Sequence, residues 1–242
     1  MSENLCLGLR LHVPFWCSFR DPLSSNVHRT FPVPPPSTLY GLTAAALGLW
    51  QDDYSRRDQM RFAIAVENAG EQVESYSKWM KIAEPAKDQI QKDARAAMRS
   101  RGLLTPDESI WISTTLVRQK IIQPVWAVGV LGAREVLEEI QLALARPNWP
   151  LYLGESDDVV DIEFLGIEAA QNSNAPATGA VAGVHADGIL ANLPTRFVAQ
   201  PKNKWELIRW LVTIPAPGKP IESHVENLMA CHGHVWQFEP EA

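Results

Sequence analysis

The sequence has few cysteines and no long apolar run. Three cysteines among 242 residues form an odd and sparse set, which does not suit the disulfide framework of a small secreted protein. The longest nearly apolar stretch, Leu39 to Trp50, is shorter than the about 20 residues that a membrane-spanning helix needs. The first residues include Glu3 and meet Arg10 after a short apolar run, unlike a signal peptide. We therefore expect a cytoplasmic protein with no membrane partner.

Sequence signals for cofactors and metals are also absent or weak. The glycine patterns of dinucleotide sites, P-loops and hydrolase nucleophile elbows do not occur. The stretch from Cys231 to His234 has metal-binding residue types, but a structural zinc site needs a second ligand pair, which the sequence does not offer. The acidic stretch from Glu155 to Asp161 could bind Mg²⁺, although a solvated loop edge is the preferred interpretation. No cofactor and no metal are expected.

Charge is distributed unevenly along the chain. The formal net charge of −6 excludes a uniformly basic surface that coats nucleic acid. Nine basic and five acidic residues lie between Tyr76 and Ile122, whereas nine acidic residues accompany only Arg146 between Glu135 and Glu168. A basic projection on an acidic body is typical of a protein that holds a phosphate backbone with one face. The alternative is a solvated amphipathic excursion with ordinary exposed charge.

Hydrophobic periodicity predicts a mixed α+β fold. Alternating leucines from Leu5 to Val13 predict a strand, and Ser37 or Thr38 is predicted to cap a helix that runs to Leu49. Further strands, one more helix and one long hairpin are expected, with a mostly helical insertion at the hairpin tip. The ranges are strands 62–66, 73–82, 110–122, 124–131 and 159–165, insertion 85–101, and a helix from 133 that stops at Pro147. The order resembles the split βαβ ferredoxin-like arrangement that RNA-recognition modules also use.

The sequence predicts one domain and a C-terminal extension. Residues 1–170 are predicted to form the RRM-like domain, with the hairpin at about 72–122. Residues 171–242 are predicted to form a small C-terminal extension on the core, which begins with a linker rich in Ser, Asn, Ala and Gly.

Two kinds of nucleic-acid chemistry are compatible with the residues present. The basic hairpin could bind phosphates with Lys and Arg and bases with aromatic rings, and Arg118 and Lys120 would share one strand face. The backbone N–H groups at Ser37 could bind phosphate, or they could simply belong to a capped helix. His28, Tyr40 and Lys120 could instead serve as base, acid and charge stabiliser in RNA self-cleavage, but nothing in their spacing enforces proximity.

Two motifs resemble a known family. The stretch from Phe31 to Leu42, with three consecutive prolines before a small-residue helix, resembles the signature of the Cas-five family of CRISPR-associated proteins. The stretch from Tyr152 to Val159 is similar to that family's Leu-Gly-x-Ser turn, and the hairpin from about Tyr76 to Ile122 lies where the family has its thumb. The resemblance extends over roughly residues 4 to 165.

The resemblance implies an RRM-like RAMP protein that acts as a non-catalytic subunit of a type I Cascade effector. Such a subunit holds the 5′ handle of the CRISPR RNA, caps the Cas-seven backbone and contacts the Cas-eight-type large subunit, which reads the PAM on target DNA. A separate Cas-six-type ribonuclease would make the guide. The expected RNA-binding residues are Arg20, His28, Arg29, Pro36, Ser37, Thr38, Tyr40, Lys78, Trp79, Lys81, Arg118 and Lys120.

One branch of the family keeps the enzymatic alternative open. Members from type I-C systems cleave precursor CRISPR RNA without metal and have a His next to a Lys in the central region. Here no histidine lies between His28 and His185, and Gln119 precedes Lys120. This departure favours a handle-binding subunit over a processing endoribonuclease. The preferred subtype is type I-B.

Overall fold

A computed structural model describes residues 4–22, 24, 27–82, 92, 96, 98–102, 111–201, 204–222 and 225–240, with backbone alone at 79–82, 111–114, 199, 204 and 205. The strands are β1 (Leu5–His12), β2 (Trp16–Cys17), β3 (Val27–His28), β4 (Met60–Asn68), β5 (Glu71–Ile82), β6 (Trp111–Ile122), β7 (Val125–Gly132), β8 (Asp161–Ala169), β9 (Gln171–Asn172), β10 (Val181–Ala182), β11 (Ile189–Gln200), β12 (Lys204–Ile214), β13 (Met229–Cys231) and β14 (His234–Trp236). The helices are α1 (Pro36–Leu47) and α2 (Arg134–Ala145), and a 3-10 turn spans Arg57–Gln59.

The central sheet has the strand order β4-β7-β1-β8, and its strands pair antiparallel. With α1 between β1 and β4 and α2 between β7 and β8, this is the ferredoxin-like arrangement that the sequence predicts. The period-two pattern of β1 has the expected effect, because its leucines point towards the helices into one core. The mixed α+β fold is therefore confirmed.

The other face of the sheet is covered by the C-terminal segment. Its outward residues at Gly8, Ala63, Ala65, Ala127 and Gly129 are small. Small side chains leave room for the large rings of the C-terminal segment, which pack there in a second buried cluster. The cover consists of Met229, Cys231, Trp236 and Phe238.

The start of the C-terminal segment is not the linker that its composition suggests. Ala177, Ala180 and Val181 are fully buried, and the Ala180 N–H donates to the Ile64 carbonyl at 2.7 Å. A Cβ at Gly179 would lie 2.6 Å from the Trp236 Cβ. Small residues are thus required here because the backbone packs against the edge of β4. Their number reflects close packing rather than flexibility.

The long hairpin predicted between residues 73 and 122 is present. β5 and β6 pair antiparallel from Glu71 with Ile122 to Ile82 with Trp111. The inner end of β6 also pairs with β2 and, in parallel, with β3. At the tip, residues 92, 96 and 98–100 are helical and residue 101 lies in a turn, whereas residues 85–91, 93–95 and 97 of the predicted insertion lie outside the described residues.

Within the part of the chain described, no helix is long and apolar enough to cross a membrane.

Candidate nucleic-acid interface

The inner end of the hairpin brings basic and aromatic side chains onto one face. Trp16 pairs with Ile122, and His28 pairs with Arg118. Directly paired residues and residues two apart share a face, so Trp16, His28, Arg118 and Lys120 form one surface, here called the basic face. The Lys120 Nζ lies 4.3 Å from the centre of the Trp16 ring, a cation–π contact. The predicted sharing of a face by Arg118 and Lys120 agrees with this register.

His28 belongs to this surface as a buried group. It is 5% exposed, and burial, followed by the charges of Arg20 and Arg118, lowers the pKa of its imidazole. The ring is therefore neutral at physiological pH. It contributes shape to the basic face rather than positive charge.

The turn that resembles a Leu-Gly-x-Ser motif lies directly beside the basic face. Asp158 Oδ2 accepts the backbone N–H groups of Ser18 and Glu155, each at 2.9 Å. Gly154 has a φ of 116°, and a Cβ there would lie 2.5 Å from the Ser18 carbonyl oxygen, so glycine is needed for this close approach. Glu155 forms an ion pair with Arg118. Arg118 therefore anchors the turn, and Lys120 is the better placed cation for an external phosphate.

Within the acidic stretch predicted as a solvated edge, Asp157 and Asp161 are exposed, but the prediction is wrong for Asp158, which is only 1% exposed. Its carboxylate is a structural acceptor that joins two loops. No group of three or more His, Cys, Asp or Glu residues suited to a metal ion occurs among the described residues.

Asp158→Asn should remove a pH dependence of stability without breaking the turn. Burial, the largest cause, raises the pKa of Asp158 to about 6, against about 3.9 in an unfolded chain. The folded state binds the proton more tightly, so this group lowers stability as the pH rises from about 4 to 6. An amide oxygen can accept the same two N–H bonds. We therefore compare the free energy of unfolding of Asp158→Asn with that of the wild-type protein at each pH. The difference should shift in favour of the variant by about 1–3 kcal/mol between pH 4 and pH 7.

Urea unfolding of both proteins across this pH range measures the effect. Asp187→Asn is the matched control, because Asp187 is exposed and is not among the charges that act on Asp158. Parallel pH curves for the wild-type protein and Asp158→Asn would contradict the assignment.

The N-terminus of α1 differs from the predicted cap. The N-cap is Pro35, with no side-chain cap bond, and the helix begins at Pro36. Ser37 and Thr38 therefore lie inside the helix. The N–H groups of Thr38 and Leu39 donate to the Pro35 carbonyl, and Pro36 has no N–H. In this described turn, one backbone N–H group, that of Ser37, is left for an outside acceptor. The sequence suggests more than one such group.

Ser37 and Thr38 line one end of a groove of about 790 Å³. One wall is α1, and the other is the segment 149–156 that precedes and includes the turn at Gly154. Because the next residue, Glu155, is paired with Arg118, this end of the groove adjoins the basic face.

Tyr40 is a packing residue and does not present an accessible acid. The residue is 3% exposed, its hydroxyl donates to the Asp53 carbonyl at 2.7 Å, and its ring stacks on Tyr54. Burial raises the pKa of the phenol, so the hydroxyl stays protonated. Of the three residues considered for RNA self-cleavage, Tyr40 and His28 are thus buried, and Lys120 is in contact with Trp16.

The other predicted RNA-binding residues divide into two groups. Arg20 and Arg29 are exposed on the loop that closes through the Arg20–Thr30 bridge, next to His28. Lys78 is exposed but pairs with Thr115, on the hairpin face opposite Arg118. Trp79 and Lys81 lie on β5 with side chains outside the described atoms.

Three features of this surface were missed by sequence reasoning. Phe15 and Trp16 are exposed aromatic neighbours at the edge of the basic face, and Glu155 holds Arg118. Phe15 and Trp16 follow a proline at the end of the first predicted strand, which marks a turn but does not reveal which strand the rings join.

The Cys-His stretch near the C-terminus packs the cover onto the sheet. Trp236 Nε1 donates to the Cys231 Sγ at 3.3 Å, and the His232 ring lies 3.1 Å from the Cys6 carbonyl through Nε2. The His234 ring stacks on Trp236. These contacts join the C-terminal segment to the central sheet.

Comparison with known proteins gives a family match and a shared fold. A family model described as CRISPR-associated protein (Cas_Cas5) matches residues 6–228. A chain in a solved CRISPR RNA-guided surveillance complex is similar over 89% of this chain and 90% of its own, with 18% identity and a TM-score of 0.58. A CRISPR protein from Archaeoglobus fulgidus is similar over 96% and 98%, with 11% identity and a TM-score of 0.49. No curated protein sequence matches the chain.

Proposed function

The chain belongs to the Cas-five family of CRISPR-associated proteins, and from this premise we propose that it is an RNA-binding subunit of a type I Cascade effector. The observation that carries the proposal is the basic face, which adjoins the groove at Ser37 and Thr38 through the turn at Glu155. The ligand is the 5′ handle of the CRISPR RNA.

The surface has the components of a single-strand site. Lys120, Arg20 and Arg29 supply cations for phosphates, and Phe15 and Trp16 supply exposed rings on which bases can stack. The hydroxyls of Ser37 and Thr38 continue the surface as neutral donors. The outer face of the RRM-like sheet is covered by Trp236 and Phe238, which supports a site at the base of the hairpin instead.

The protein acts without catalysis in this proposal. Self-cleavage of RNA needs a base and an acid within reach of the 2′-hydroxyl. The two candidate groups, on His28 and Tyr40, are buried, and the Tyr40 hydroxyl is bonded to the Asp53 carbonyl. The metal-independent endoribonuclease remains the alternative because the His28–Arg118 pairing brings a neutral imidazole to the strand that carries Lys120.

Within the complex, the proposed neighbours are the Cas-seven backbone, the Cas-eight-type large subunit and target DNA near the PAM, with a Cas-six-type ribonuclease as guide supplier. Sequence specificity towards the target would come from guide pairing. The I-B subtype stays a prediction.

A gel shift with end-labelled repeat RNA in EDTA tests the proposal. A shifted, intact RNA is the expected result, because phosphate binding needs no metal. A defined cut that is lost in His28→Ala would replace the proposal by the endoribonuclease. If neither occurs with the isolated chain, the same RNA is tested with the co-purified subunits of its complex, and no binding there would contradict the proposal.

Lys120→Ala should weaken binding of the repeat RNA about tenfold and lower the slope of log affinity against log salt by about 1. The reason is the loss of one phosphate contact at the basic face. Lys219→Ala is the control, because Lys219 is an exposed lysine elsewhere on the chain. Equal affinities and salt slopes for the two variants would remove Lys120 from the site. Arg118→Ala is a less clean probe, since it also breaks the ion pair with Glu155.

A further inference from the structure

The far end of the α1 groove has a different chemical character from the end at Ser37. Trp50 is 78% exposed, and its ring centre lies 6.2 Å from that of Trp149. Tyr152 is a third exposed aromatic residue on the same wall. Asp52 and Asp53 follow Trp50 in one turn and also line the groove. These five residues are called the acidic aromatic end.

The acidic aromatic end is held in place by well-defined backbone contacts. The N–H and the side-chain amide of Asn148 both donate to the Ala46 carbonyl, at 3.1 and 3.0 Å, which fixes Trp149 beside the end of α1. The turn that carries Trp50 closes through an N–H bond from Asp53 to the Trp50 carbonyl. Asp52 in this turn has a φ of 62°, a conformation that Asp and Asn tolerate better than most residues. The backbone that carries the two tryptophans is therefore held in place at the rim.

The charge at this end of the groove disfavours the binding of nucleic acid. None of the groove-lining residues in the described part of the chain is Lys or Arg, whereas two are aspartates. The Ser55 N–H donates to Asp53 Oδ1 at 2.9 Å, and hydrogen bonds from Ser55 lower the pKa of that carboxyl. Asp53 thus stays ionised. Phosphates would be repelled by such a surface, and cations would be attracted.

We propose that the acidic aromatic end is a protein-docking site for a segment in which a Lys or Arg side chain is flanked by apolar residues. The cation lies between the carboxylates of Asp52 and Asp53 and the faces of Trp50 and Trp149. The apolar neighbours cover the rings. The segment comes from a neighbouring subunit of the complex, so this inference rests on the proposed function.

Three properties favour this occupant. Trp, Tyr and Arg are the residue types that carry most of the binding energy in protein interfaces, and the groove supplies three exposed aromatic residues. Cation–π contacts are strongest with tryptophan. Charge complementarity selects a basic segment over an acidic one or an RNA strand. The groove would therefore hold RNA at Ser37 and protein at Trp50.

Photo-crosslinking within the complex identifies the occupant. p-Benzoyl-L-phenylalanine is introduced in place of Trp50, and in place of Leu142 as a control, because Leu142 is 65% exposed on α2 and does not line the groove. The full chain is purified with the other subunits and guide RNA of its complex. A crosslink to a protein segment that contains Lys or Arg supports the proposal. A crosslink to RNA, or a yield no higher than at position 142, overturns it.

Charge neutralisation provides a second readout. The double variant Asp52→Asn with Asp53→Asn keeps the turn and should weaken association with the partner subunits about tenfold. Asp187→Asn with Glu222→Gln changes the net charge equally at exposed positions outside the groove, and should leave association unchanged. Equal effects of the two variants would overturn the site. Binding of repeat RNA by each variant, measured separately, decides the proposed function independently.

Discussion

Replacing Arg57 by alanine is expected to lower the free energy of unfolding by about 3–5 kcal/mol. Arg57 forms an ion pair with Glu239 at 2.6 Å, and the two side chains are 5% and 2% exposed. Its guanidinium also donates to the carbonyls of Met60 and Thr195. One side chain thus joins three segments that are distant in sequence, including the C-terminal residues and β11.

The loss is large because of what Arg57 would leave behind. Burial raises the pKa of Glu239 even though Arg57 is present, so the carboxylate is costly to bury. Its other oxygen accepts the Phe62 N–H at 3.0 Å, which ties it to β4. Without Arg57 the carboxyl must take up a proton or draw water into the core. Either response loosens the contact between the C-terminal segment and the sheet.

The adjacent arginine provides a matched control. Arg56 forms an ion pair with Glu139 at the same length, 2.6 Å, but half of the Glu139 side chain is exposed. Exposed pairs contribute about 0–1 kcal/mol, so Arg56→Ala should have a small effect. Urea unfolding of the two variants under the same conditions makes the comparison. Similar losses for both would show that burial does not determine the contribution of Arg57.

The ferredoxin-like core is the part of the structure that the sequence predicts best. The leucines of β1 and the apolar face of α2 are regular over whole elements, so periodicity alone assigns their type and orientation. The hairpin is also predictable, because β-branched residues flank a polar insertion. The family resemblance, based on the prolines before α1 and the turn at Gly154, is confirmed by the match to residues 6–228.

The C-terminal segment shows why the remainder was not predictable. Gly179 and Ala180 have the composition of a linker, but they are small because β4 and Trp236 lie against them. A single sequence contains no signal for contacts so far apart along the chain. Asp158 misled for the same reason, since its two hydrogen-bond donors include an amide 140 residues away, at Ser18.

The candidate site was predictable only where residues share a strand. Arg118 and Lys120 alternate on β6, so their common face follows from period two. The approach of His28 and Trp16 depends on the pairing of β6 with β3 and β2, which are strands of two residues each. Elements this short have no periodicity to detect. The sequence therefore identified cations of the site and missed its aromatic neighbours.

Trp236→Ala is expected to lower the free energy of unfolding by about 3–5 kcal/mol. Trp236 is fully buried, and its ring is the largest group of the cover on the central sheet. Removing it leaves a cavity above Gly129 and takes away the donor to Cys231. Trp50→Ala removes the same side chain from an exposed position, so its effect should stay within about 0.5 kcal/mol. Urea unfolding of both variants measures the difference.

A double-mutant cycle shows whether the loss arises from contact with the sheet face. A Cβ at Gly129 would lie 2.7 Å from Trp236 Cζ2, so Gly129→Ala alone should cost about 1–3 kcal/mol through overpacking. In the Trp236→Ala protein the same methyl group enters the space left by the ring, and its cost should largely disappear. Additive losses would mean that Trp236 does not cover Gly129 in solution. The sheet face would then be open to RNA, as it is in RNA-recognition modules, which stack bases on their sheets. In that case the basic face would not be the principal RNA site.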